Sequence, residues 1–151
     1  MDKQLFQDNL RMMYADDAFD GARMRGWTFE NADMSSDGIK TARHYADHWE
    51  EMRKENRGLL FTGPVGTGKS FAAGCIANAL LARPIPVAVK MTNLPTILNR
   101  ITGCSGEDRV RYLDRILKAE LLILDDFGTE RGTEFSKEQT FNLIDQRSRS
   151  M

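Results

Sequence analysis

An α/β fold with a parallel sheet flanked by helices is predicted by three observations. Short apolar runs alternate with longer stretches of helical period, a glycine-rich loop joins the first such run to an Ala-rich stretch, and a second aliphatic run ends in paired aspartates. Strands linked through helices pair in parallel with right-handed crossovers. The 151 residues, 41% of them hydrophobic, suit one domain. A chain of this size buries roughly 68–70% of its unfolded surface without disulfides or a structural metal.

Residues 1–36 lack a sustained period and are read as an N-terminal arm or linker, with at most a short helix around Leu5, Phe6, Leu10, Met12 and Met13. From Asp37, read as an N-cap, Ile39, Ala42, Tyr45, Ala46, Trp49 and Met52 recur at helical spacing up to Gly58. Leu59–Thr62 reads as a buried strand, Phe71–Ala82 as a helix closed by Arg83-Pro84, and 86–91 as a second strand. Pro95 opens a helix to about Thr102, and Ser105-Gly106-Glu107-Asp108 reads as a capping pattern before the next helix. Leu121–Leu124 is the third expected strand, buried like the first, and Ser136 is the expected cap of a last helix through Phe141, Leu143 and Ile144.

Composition narrows the function. Cys75 and Cys104 form no Cys-x-x-Cys pair, and His44 and His48 lack a third ligand at a recognisable spacing, so neither a disulfide framework nor a zinc site is expected. No apolar run reaches the roughly 18 residues of a membrane span, and the N-terminus lacks a signal-peptide core, so a reduced cytoplasmic protein is expected. The net charge of −1 excludes a polybasic tail, yet residues 59–120 carry 8 basic and 4 acidic groups.

The chemistry begins at Gly63-Pro64-Val65-Gly66-Thr67-Gly68-Lys69-Ser70, which matches G-x-x-x-x-G-K-[ST]. Glycines permit the backbone turns that converge N–H groups on phosphate oxygens, Lys69 would reach the β- and γ-phosphates, and the Ser70 hydroxyl would ligate Mg²⁺. The helix that follows adds the positive end of its dipole. Chance gives such a match in only about half a percent of chains of this length. A flexible glycine turn is the bland alternative, disfavoured by the apolar run before the motif and the Ala-rich stretch after it.

Phosphoryl transfer also needs an acid for the metal and a group for the attacking water. Leu121-Leu122-Ile123-Leu124-Asp125-Asp126 offers both, and alternation along a strand divides the work: Asp125 toward Mg²⁺ and Ser70, Asp126 toward the water. Together these segments resemble the Walker A and Walker B pair of AAA+ ATPases. More narrowly, Leu122–Glu134 and Phe141–Arg147 resemble the DnaC/DnaI-type replicative helicase loaders, with IstB-type transposition helper ATPases as close relatives.

The resemblance, covering about residues 26–151, implies an AAA+-type P-loop domain over 37–151 that binds ATP or ADP with Mg²⁺. It implies assembly into a homo-oligomer whose neighbouring subunit supplies an arginine finger, and ATP-driven placement of a replicative helicase on single-stranded DNA. Val65 and Phe71 join the nucleotide loop, and Thr28-Phe29-Glu30-Asn31 is similar to the segment lining the adenine pocket. Phe29 is thus a base contact or simply a core residue. The family's sensor strand, arginine finger and helical lid have no match before residue 151, and Asp126 stands where most AAA+ proteins have Glu. The expectation is a C-terminally truncated domain that binds nucleotide with little or no turnover by itself.

For DNA, Lys90, Arg100, Arg111, Arg115 and Lys118 are backbone-contact candidates, with Tyr112 the one aromatic nearby. Glu107 with Arg111 and Asp114 with Lys118 stand at i, i+4, which also describes an ordinary solvated helix face.

Overall fold

The structure, a computed structural model, describes residues 2–64, 66–125 and 134–150. It divides into two compact units, Met1–Val89 and Lys90–Met151.

The first unit opens with α1 (Lys3–Ala18), capped by Asp2, whose side chain accepts from the Gln4 N–H at 3.1 Å. Two 3-10 turns follow, Ala22–Gly26 and Phe29–Asn31. Residues 1–36 are therefore largely structured, and both α1 and the first turn contact α4 (Lys69–Leu81). Arg11 ties α1 down by donating to the Arg83 carbonyl at 3.1 Å. The long helix expected after Asp37 is two: α2 (Asp37–Asp47) and α3 (Trp49–Lys54), meeting at His48. Ser36, not Asp37, is the N-cap, and Asp37 places its carboxylate at the positive helix end. Gly58 does not end α3. Asn56 does, at φ 54°, with the Arg57 N–H bonding Met52 O at 2.8 Å in a Schellman arrangement. Tyr45 then donates its hydroxyl to Arg57 O at 2.8 Å, fixing the chain that leads into the loop.

Helix α4 carries Ala72, Ala73, Cys75, Ile76, Ala77, Leu80 and Leu81 in the core, opposite Ile39, Ala42, Tyr45 and Ala46 of α2. Apolar on all sides, it is a buried helix rather than a surface one. The strand expected at Leu59–Thr62 is not formed, and Leu60 is 80% exposed. A strand exists only when its backbone groups find a ladder partner, and among the described residues the sheet pairs only two strands.

Those strands are β1 (Val89–Asn93) and β2 (Leu121–Asp125), paired in parallel as the α/β prediction requires. β1 starts later than the expected 86–91. Pro86 has no N–H to donate, and the Val87 N–H is already spent on Leu80 O at 3.2 Å. β2 is half-buried along its length rather than fully buried, having one strand neighbour.

In the second unit α5 (Leu94–Gly103) begins with Pro95 in its first turn and Asn93 as cap, its side chain accepting from Thr96 N at 2.8 Å. α6 (Gly106–Lys118) starts at the expected place, but Ser105 makes no side-chain cap bond; Gly106, at φ 58°, changes the direction of approach. α7 (Glu134–Ser150) starts ahead of Ser136. Leu94, Ile97, Ile101, Ile116 and Leu143 form the core, flanked by Tyr112, Leu113, Leu117, Leu122 and Leu124.

Arg147 of α7 closes α6. Its guanidinium donates to Ile116 O at 3.2 Å, Leu117 O at 3.1 Å and Glu120 O at 3.4 Å, satisfying carbonyls that a helix end leaves open and setting a cation at the negative pole. Replacing Arg147 with Met should lower unfolding free energy by about 2 kcal/mol in urea titration, because buried carbonyls lose charged donors. Arg147→Lys should recover only part of the loss, since an ammonium cannot span three acceptors in one plane.

Candidate functional site

Residues 63, 64 and 66–68 turn in front of α4, whose first residues are Lys69 and Ser70. Gly63, Gly66 and Gly68 take φ of 143°, 84° and 81°, conformations that an L side chain resists. Thr67 closes the turn by donating Oγ1 to Pro64 O at 2.9 Å. Gly68 is the N-cap in a left-handed conformation, and its carbonyl accepts the first helical bond, from Ala72 N at 2.9 Å. Having no side chain, Gly68 contributes no cap bond, so it leaves the first-turn N–H groups to an anion.

Lys69 lies back over the loop. Its Nζ donates to the carbonyls of Gly63 and Pro64, the latter at 3.0 Å. The structure thus brings together Gly63, Pro64, Gly66, Thr67, Gly68, Lys69 and half-buried Ser70 around one helix end. Glycine conformations, a dipole end and a held ammonium fit a polyphosphate.

Phe71, next in sequence, meets the ring of Trp27 at 6.2 Å between centroids. Phe29 is 8% exposed, with the Arg43 guanidinium 5.2 Å over its ring. Three residues not singled out by sequence hold this segment to α4. The Asn78 amide donates to Met24 O and Trp27 O, both at 2.9 Å, and a Cβ at Gly74 would lie 2.5 Å from Trp27 Cε3. A glycine inside an otherwise Ala-rich helix costs about 1 kcal/mol, and that cost was the available signal of a close approach.

Asp125 is the last residue of β2 and half-buried. It belongs to the second unit and the loop to the first. Val65 and Asp126 lie outside the described residues. On α6, Lys118 pairs with Asp114 at 2.8 Å as the spacing predicts, whereas Arg111 takes Asp108 at 2.7 Å instead of Glu107. Arg100 lies over the Tyr112 ring at 5.5 Å, so the nearby aromatic already has a cation on it. His44 and His48 stack with centroids 4.1 Å apart, and no group of three metal-ligating side chains occurs among the described residues. No helix among them is long and apolar enough to cross a membrane.

A glycine-rich turn ahead of a helix N-terminus, with a lysine folded back over it, is what these features define. Comparison with known proteins adds particular relatives. The chain is 28% identical to the replicative helicase loader DnaC of Buchnera aphidicola subsp. Schizaphis graminum over 82% of its own length and 51% of the relative's. It is 27% identical to the replicative helicase loader DnaC of Escherichia coli strain K12, with the same coverage, and 28% identical to the uncharacterized protein YdaV of that strain over 84% and 52%. These matches support the resemblance to DnaC-type loaders and do not confirm the one to IstB-type helpers. The chain spans about half the length of the curated relatives it matches. No protein-family model matches it, and no solved structure matches at a significant level.

Burial on α4 pushes the Cys75 thiol from its ordinary 9.0 up to about 11. The unfolded chain therefore releases this proton first, so stability present below pH 9 should fall as pH rises from 9 toward about 11. Tyr45, raised by burial from 10.0, adds a second loss that sets in as pH passes 10.0. Urea titrations across this range should show a shallower slope for Cys75→Ala, most clearly below pH 10, where Tyr45 has not begun to titrate.

Proposed function

We propose that this chain is the ATP-binding part of a replicative helicase loader, with a P-loop of the AAA+ type and an ATP-binding region spanning residues 37–151. The observation that carries the reading is the loop itself: three glycines at positive φ, and Lys69 held over them in front of an uncapped helix end. Gly63 to Phe71, including Val65, would cradle the phosphates, and Lys69 would place its charge on the outer ones. Ser70 would be a ligand for Mg²⁺ and Asp125 would be another, and the ion's charge would draw electron density from the phosphate oxygens. Asp126 would orient the attacking water, and Phe29 would belong to the base side.

Support for the loader role comes from relatives named replicative helicase loader DnaC, matched over 82% of this chain. On this reading the partners are a replicative helicase and further copies of the chain around ATP. Single-stranded DNA would follow the α5–α6 side, where Arg100, Arg111, Arg115 and Lys118 lie and to which Lys90 would add a cation.

The test is thermal unfolding with Mg²⁺ and ATP. A ligand at one hundred times its dissociation constant stabilises by about 2.7 kcal/mol, so the midpoint should rise by several degrees in the wild type and not in Lys69→Ala. An equal rise in both would sink the site assignment. The loader role is checked by capture of the replicative helicase on the immobilised chain with ATP, and failure to retain it would count against that role.

A further inference from the structure

The phosphate loop accounts for one end of a nucleotide; the other end needs a surface for a planar base. We infer that Asn78 is a positioning residue that sets this surface, by holding residues 24–29 against the helix that carries Lys69 and Ser70. The inference rests on the nucleotide reading above.

Asn78 lies nine residues after Lys69. At 1.5 Å per residue it sits about 13.5 Å along the axis, too far to touch phosphates at the helix start. What it touches is the chain at Trp27. Its Nδ2 donates to Met24 O and to Trp27 O, both at 2.9 Å, with Gly74 O of its own helix a longer third acceptor at 3.1 Å, and Trp27 N in turn donates to Met24 O at 3.1 Å, so one amide secures both ends of a single turn. One turn nearer the loop, the indole lies on bare backbone at Gly74, where a Cβ would be 2.5 Å from Cε3 and 3.0 Å from Trp27 Cβ. One turn nearer still, the ring meets Phe71, the residue after Ser70, at 6.2 Å.

Positions 71, 74 and 78 are spaced by three and four, so they form one stripe of α4. The segment hangs on that stripe, and its upper end reaches the residue beside the phosphate loop. Phe29 anchors the far side, buried beneath Arg43. Trp27 and Phe71 are only half-buried, which leaves aromatic surface at the phosphate end. A partly exposed aromatic surface there suits stacking of a heterocycle. The chemistry of Asn78 is specific: an amide offers donors to two carbonyls, whereas a carboxylate would repel them and an alkyl group would take from Trp27 O the donor it has here, leaving Met24 O only the Trp27 N–H.

The experiment compares dissociation constants for ATP and for inorganic triphosphate, both with Mg²⁺, in the wild type, Asn78→Ala and Gly74→Ala. Each variant should bind ATP about tenfold more weakly, equivalent to about 1.4 kcal/mol, with triphosphate binding unchanged. A purely structural defect would weaken both ligands alike, and that result, or no change for either, overturns the inference while leaving the phosphate loop standing. If wild type binds neither ligand, both readings fall. A second readout needs neither variant: in a Trp49→Phe background Trp27 is the remaining tryptophan, and its emission should change with ATP and stay constant with triphosphate. Emission indifferent to ATP would overturn the inference even where a variant does not fold.

Discussion

Small side chains along α4 let other parts of the first unit come close to its backbone. α2 packs along it through Ile39, Ala42, Tyr45 and Ala46, α1 contacts it, and the turn at 22–26 is bonded to it through Asn78. Larger residues at 72, 73 and 77 would push these neighbours outward, and the interior of a protein offers no slack to absorb that. The turn at Gly66–Gly68 is thus attached to the most enclosed helix of its unit. Its glycines borrow their rigidity from that enclosure, since glycine-rich backbone has little of its own.

The second unit solves a different problem. A two-stranded sheet gives little independent stability, so its helices must supply the core. Leu94, Ile97 and Ile101 of α5, Ile116 of α6 and Leu143 of α7 meet around it, and Arg147 stitches α7 to the end of α6 through three carbonyls. Asp125 is carried to the end of β2 by this packing. The aliphatic run before the aspartate places it at the strand's end.

Elements with strong local signals were legible in the sequence. α4, α5 and α6 follow glycine, Pro95 and Ser105 signals within a residue or two, and the loop was marked by its glycines and lysine. Features that depend on distant partners were not. Leu59–Thr62 has strand composition and, among the described residues, no ladder partner, so it forms no strand and leaves Leu59 and Leu60 exposed. Residues 1–36 look aperiodic because a polar helix and two short turns carry no apolar stripe, yet Trp27 and Phe29 dock them by individual contacts. Gly58 looked like the end of α3, but Asn56 tolerated the left-handed turn earlier. Asn78 sat in an apolar helix with no pattern to announce what its amide would meet.

The bond between the Lys69 ammonium and the carbonyls of Gly63 and Pro64 makes binding at this loop an exchange rather than an addition. An arriving anion must offer more than the two peptide dipoles already in place. A carboxylate or a halide brings one charge and little reach, while a chain of phosphates can hold the amine and the helix end together. The same bond folds the loop's glycines around a cation of the chain's own.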